Sequence, residues 1–154
     1  MEIRKATMAD IDLLIKLRMD FIADSSMPSI EENVRTQIGS QLADYYAEHI
    51  EDGTFIAVLA ETENTVACVA FLTVTQMPAN PYTITGRLGT VLNVFTYPAC
   101  RRQGIATKVM KRILQEAKKA KVSLVRLSAT KAGQPLYESL GFTPSSELGM
   151  SIVL

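Results

Sequence analysis

Residues Tyr97 to Ile113 read YPACRRQGIATKVMKRI, and their types and order suit the capture of an anion. An apolar run ends at Pro98, Arg101 and Arg102 follow, Gly104 turns the chain, and a basic helix begins. The first N–H groups of a helix lack intrahelical partners and carry partial positive charge, so a glycine turn that feeds a helix behind a strand is a natural phosphate site. From Arg101 to Lys121 stand eight bases (Arg101, Arg102, Lys108, Lys111, Arg112, Lys118, Lys119, Lys121) and one acid, Glu116. That surplus favours an extended, multiply phosphorylated ligand. A Walker A loop is excluded, because Ile105 and Ala106 follow the glycine where Lys and then Ser or Thr are needed. A dinucleotide fingerprint needs three glycines, and this turn has one.

The elements that position this turn follow from periodicity. A short strand near Ile3 leads to Thr7 and Asp10, a capping-box-like start. Ile11, Leu14, Ile15, Phe21 and Ile22 then recur at helical spacing, with Arg18 the one polar interruption of the stripe. Ser29 and Glu32 repeat the start signal, and Ile30, Val34, Ile38, Leu42, Tyr45, Tyr46 and Ile50 predict a second amphipathic helix that Gly53 ends. TFIAVLAE and TVACVAFLTV, separated by TEN, predict an antiparallel hairpin. After the loop MPANPYTITG comes the strand RLGTVLNVFTY, then a helix over 104–120 with Ile105, Val109, Met110, Ile113, Leu114 and Ala117 on one side, then the strand VSLVRLSAT. Strand, helix and strand over this length make a crossover, which predicts parallel neighbouring strands with the helix on one face. A short helix from about Ala132 to Leu140, closed by Gly141, and a last strand within LGMSIVL complete the chain.

The 154 residues suit one domain, 1–154, with a composition that is 47% hydrophobic and carries sixteen bases against sixteen acids. No apolar run is long enough to span a membrane and the N-terminus lacks the apolar centre of a signal peptide, so a cytoplasmic protein is expected. Cys68 and Cys100 are too few for a disulfide framework. With His49 as the single histidine, no metal site is expected. Charge is unevenly spread: residues 1–64 hold thirteen acids and five bases, and residues 65–154 hold three acids and eleven bases.

Arg101-x-x-Gly104-x-Ala106 resembles the acyl-CoA-binding loop of the GNAT superfamily of N-acetyltransferases. PLYESLGF, Pro135 to Phe142, resembles that family's second signature, and the order of elements resembles it along the whole chain. The resemblance implies an α+β (α/β) fold: a mixed, mostly antiparallel twisted sheet with a central splayed parallel strand pair, flanked by helices. It also implies acetyl-CoA as cosubstrate, lying where the strands near Asn93–Thr96 and Leu127–Ala129 part, and direct transfer of acetyl to a primary amine without an acyl-enzyme. Main-chain groups of Val94, Phe95 and Thr96 would then meet the thioester and the pantetheine arm. The N–H groups of Arg101, Arg102, Gln103, Gly104, Ile105, Ala106 and Thr107 would hold the pyrophosphate.

Tyr137 stands where the family commonly supplies a general acid, and a phenol is protonated at neutral pH. Thr130 and Gly133 depart from the family's usual Asn and Ala, so Thr130 is a shorter-reaching contact for pantetheine. Some relatives carry a basic carboxylate on the strand before the loop. Here Asn93 occupies it, which leaves a water chain, a carboxylate from elsewhere, or an amine that arrives deprotonated.

The acidic N-terminal half, flanking the acceptor side together with the loop from Gln76 to Arg87, would attract a cationic amine. Among other functions, a CoA-sensing module without turnover fits the missing carboxylate. A nucleic-acid surface on the basic helix lacks the aromatic residues on which bases stack, so no nucleic-acid partner is expected. The apolar MSIVL end would let two copies pair through their sheets.

Overall fold

The two β-branched runs form the centre of the molecule. In the computed structural model, which describes residues 1–63 and 65–154, β2 (Phe55–Thr62) and β3 (Thr65–Gln76) pair antiparallel with Ile56 opposite Leu72 and Val58 opposite Ala70. Both strands are buried along nearly their whole length, which is why they read as continuous apolar runs rather than alternating ones: helices cover both faces. β1 (Glu2–Lys5) adds antiparallel to β2, β4 (Arg87–Thr96) adds antiparallel to β3, and β5 (Leu124–Arg126) adds parallel to β4, giving the order β1-β2-β3-β4-β5. The parallel pair therefore stands at one side of the sheet among the described residues.

α3 (Ile105–Lys119) crosses one face and packs Val109, Met110, Ile113 and Ala117 on Ile56, Val58, Ala70 and Leu72. Burial of Val109, Met110 and Ile113 contributes about 1.5–3 kcal/mol each. α1 (Ile11–Asp24), entered through a 3₁₀ turn at Met8–Asp10, and α2 (Glu32–Glu51) cover the other face, where Leu14, Leu17, Leu42 and Tyr46 meet Phe55, Leu59 and Phe71. The Thr7 N–H donates to Asp10 Oδ2 at 2.7 Å, so the capping-box signal is real. Asp10 also pairs with Arg4, which holds Glu61 as well and so ties β1, the 3₁₀ turn and β2 together. α4 (Gln134–Ser139) completes the chain's regular structure.

Three expectations change. The strand VSLVRLSAT is only three residues long, because β5 has a single partner and pairing stops at Thr90 and Arg126. The segment LGMSIVL forms no strand, and Leu148, Met150, Ile152, Val153 and Leu154 are exposed. The loop 77–86 closes against Lys121 and Ser123 through Thr85 and does not flank the cleft described below. Among the described residues no helix is long and apolar enough to cross a membrane.

Candidate active site

β4 and β5 are hydrogen-bonded neighbours only from Leu88 to Thr90, while β4 continues to Thr96, so the strands part over the last six residues of β4. A bulge sharpens the parting. The β3–β4 register shifts between Val69 and Phe71, opposite Asn93, whose φ of 56° lies in the left-handed region that Asn tolerates. Beyond it, Tyr97 N–H donates to Ala67 O at 3.0 Å. Alternation along an antiparallel strand then turns the main-chain groups of Phe95 toward β3, and those of Val94 and Thr96 away from it, into the gap. Phe95 therefore does not join Val94 and Thr96: its ring is buried in the α1–α2 core, against Phe21 and Tyr97.

The turn after β4 is built to present N–H groups. Arg102 (φ 63°) and Gly104 (φ 71°) both adopt left-handed conformations, an alternation that gathers successive N–H groups on one side of the chain. Among the described residues, no N–H from Arg102 to Gly104 donates to a main-chain carbonyl, and those of Ile105, Ala106 and Thr107 open α3 without intrahelical partners. A Cβ placed on Gly104 would meet no atom within 4 Å, so the space over the turn is open. Arg101 is held differently. Its Nε donates to Thr96 O at 3.0 Å and its Nη2 to Asp24 Oδ2 at 3.0 Å, tying the turn to the end of α1. Gln103 Nε2 donates to Ala99 O at 3.3 Å. The far end of α3 is less cationic than its sequence reads, because nearly buried Glu116 pairs with Arg112 and Lys119. Burial opposes its ionisation, yet those two bonds hold its carboxyl below the ordinary range.

Tyr137, on α4, packs half-buried in the cluster that also contains Val94 and Phe142. Burial, with a smaller push from nearby Cys68, raises its phenol above the ordinary range. Gly133 makes room for the ring: a Cβ there would lie 3.1 Å from Tyr137 Cε2 and 3.3 Å from Thr130 Oγ1. Thr130 Oγ1 accepts the Gly133 N–H at 3.1 Å, so this hydroxyl shapes the entry to α4 and keeps its own hydrogen to donate.

On the α1 side of the gap lies a cleft of about 360 Å³ lined by Arg18, Phe21, Asn93, Arg126, Leu127 and Ser128 among others. Arg18 Nη1 donates to Asn93 Oδ1 at 3.2 Å. Asn93 is 2% exposed, and its Nδ2 has no partner. Sequence reasoning placed Asn93 on the strand beside the gap but did not bring Arg18 to it, although the signal was present: a cation interrupting an apolar stripe.

This constellation offers an N–H-rich turn for a diphosphate, a gap that accepts an extended arm as an extra strand, and a protonated phenol on one side with a donor-lined cleft on the other. The profile of the Acetyltransferase (GNAT) family matches residues 19–142. No curated protein sequence matches the chain. The crystal structure of a predicted acetyltransferase with acetyl-CoA from Clostridium acetobutylicum superposes with a TM-score of 0.87 at 28% identity, covering 98% of this chain and 95% of that one. That of a GCN5-related N-acetyltransferase from Ralstonia eutropha JMP134 superposes at 0.81 with 23% identity, over 98% and 97% of the two chains, a likeness of fold.

Proposed function

The chain belongs to the acetyltransferase (GNAT) family, and from that premise we propose that its 154 residues form one domain that moves acetyl from acetyl-CoA directly to a primary amine. The observation that carries this reading is the parting of β4 from β5 directly above a turn whose N–H groups are unpartnered. A diphosphate fits that turn because two left-handed residues aim its donors together and Gly104 leaves the space open. Arg101, engaged by Thr96 and Asp24, sets the geometry of the turn, while Arg102 through Thr107 supply main-chain donors.

When bound, the coenzyme supplies an activated thioester. Val94 N–H then stands where negative charge grows on the thioester oxygen, and a preorganised donor there stabilises it. The amine nitrogen forms a bond to the acetyl carbon as the carbon–sulfur bond breaks. The amine loses a proton to water, and the departing sulfur gains one from the Tyr137 hydroxyl. Thr130 directs its remaining hydrogen toward the arm.

The test is calorimetry with CoA, followed by thiol release from acetyl-CoA over a panel of amines. Micromolar CoA binding with amine-dependent thiol release supports the reading. CoA binding with no amine turned over moves the chain to the sensing reading, which Asn93 in place of a carboxylate favours.

A further inference from the structure

We propose that the acceptor is a small amine bearing an anionic group, a carboxylate or a phosphate, which docks between Arg18 and Arg126 and accepts a hydrogen bond from Asn93 Nδ2; the proposal rests on the acetyl-transfer reading. Arg18 is the cation in the apolar stripe of α1. Its guanidinium reaches Asn93 at 3.2 Å and lies 5.7 Å from the Phe21 ring centre, and among the described residues no carboxylate comes within ion-pair distance of it. Arg126 is the last paired residue of β5. Its Nε is 3.4 Å from Thr90 Oγ1, and it too has no carboxylate partner among the described residues.

The bond from Arg18 settles the orientation of the Asn93 amide. A guanidinium only donates, so the oxygen faces Arg18 and the NH₂ group points elsewhere. That NH₂ group is buried without an acceptor, an arrangement that persists when a ligand completes it. Every polar group named here from the cleft wall that is free of a charged protein partner is an N–H or O–H donor: two guanidinium groups, one amide NH₂ and the Ser128 hydroxyl. None of the residues lining the cleft is acidic. Guanidinium forks match carboxylate and phosphate oxygens in geometry as well as charge.

Three acids of the N-terminal half are engaged elsewhere: Asp20 binds Lys16 and the Tyr97 hydroxyl, Asp24 binds Arg101, and Asp10 binds Arg4. Their pull on a cationic amine is weakened, and the wall of the cleft itself is cationic. A cleft of about 360 Å³ suits a small molecule.

The experiment uses the full chain loaded with CoA or acetyl-CoA. Unbranched ω-amino acids of increasing length and phosphoethanolamine are each compared with a neutral counterpart, the ω-amino amides and ethanolamine. At least one anionic amine is expected to exceed its counterpart tenfold in kcat/KM, with the ratio falling toward one in Arg18→Gln and in the exposed variant Arg126→Gln, while Arg18→Lys keeps part of it. Calorimetric binding of the same amines to CoA-loaded protein reads the site without turnover. An anionic preference in binding with no acetylation would sink the transfer reading and uphold the site. Equal affinity and equal kcat/KM for anionic and neutral members across the panel, or a preference for diamines, would overturn the proposal.

Discussion

Replacing Tyr137 with Phe removes one oxygen from a ring that the fold holds in place by other means. The ring packs against the core cluster beside Phe142 and is seated over Gly133, and among the described residues its hydroxyl makes no hydrogen bond to the protein. The variant is therefore expected to fold with stability within about 0.5 kcal/mol of the parent. Burial keeps the phenol protonated well past neutrality, above its ordinary value near ~10, whereas a free thiol titrates near ~8.5. Proton transfer to the departing sulfur gains driving force as the carbon–sulfur bond lengthens and charge grows on sulfur, which places Tyr137 in the transition state rather than in substrate binding. Loss of a general acid lowers kcat by roughly 100-fold, about 2.7 kcal/mol, with KM for acetyl-CoA little changed. The sign with pH follows from a phenol that acts while protonated: the ratio of parent to variant stays constant from pH 6 to pH 9 and declines only as pH rises through the raised phenol value. Steady-state thiol release across that range is the assay. A variant within threefold of the parent, or a ratio that collapses below pH 8, would refute the assignment.

Gly104→Ala is expected to leave folding intact, since its Cβ meets no protein atom, but to weaken CoA about tenfold in calorimetry. A left-handed Ala costs about 1–2 kcal/mol, and the methyl enters the open space over the turn. Asp10, held by the Arg4 guanidinium at about 2 against an ordinary 3.8, contributes stability that is complete above about pH 5 and lost as pH falls toward 2. Asp10→Asn should accordingly lower urea stability at pH 7 by about 1–2 kcal/mol and flatten its dependence between pH 5 and pH 2. Cys68 is fully buried and its thiol is pushed up to about 11 by that burial, with Thr96 Oγ1 donating to it, so a thiol reagent at pH 8 should titrate only Cys100 in the native protein. Two thiols reacting at similar rates would contradict the packing of Cys68.

Periodicity made most of the frame legible because burial enforces it. The stripe on α3 and the continuous apolar runs of β2 and β3 each have one arrangement that hides them, and the crossover from β4 through α3 to β5 leaves little choice of topology. The C-terminal strands were less legible. β5 touches only β4 and keeps three residues of pairing, although VSLVRLSAT has the composition of a longer strand. LGMSIVL has strand composition too, but its apolar side chains face solvent. β-propensity describes a surface that fits beside another strand and does not create the neighbour. Thr130 has a local partner that its type alone did not announce: its hydroxyl accepts the N–H of Gly133, the residue before α4.

Regional charge and local charge are separate properties of the chain, and the reason is one of length scale. A net count over sixty-odd residues describes a field that salt screens within about 8 Å, whereas neutralisation happens between atoms about 3 Å apart. Asp24 and Arg101 are 77 residues apart in sequence and 3.0 Å apart in space, and Asp20 reaches Tyr97 across the same interval. Such pairs offset two of the three acids of α1, Asp20 and Asp24. What remains at the cleft is the residue that had no reason to lie on an apolar stripe, Arg18, facing the residue that had no reason to lie in an apolar strand, Asn93. Two polar exceptions, each costly to bury alone, are jointly stable when one donates to the other and a third group completes the set. The proposed anionic acceptor therefore rests on the local exception and not on the regional sum.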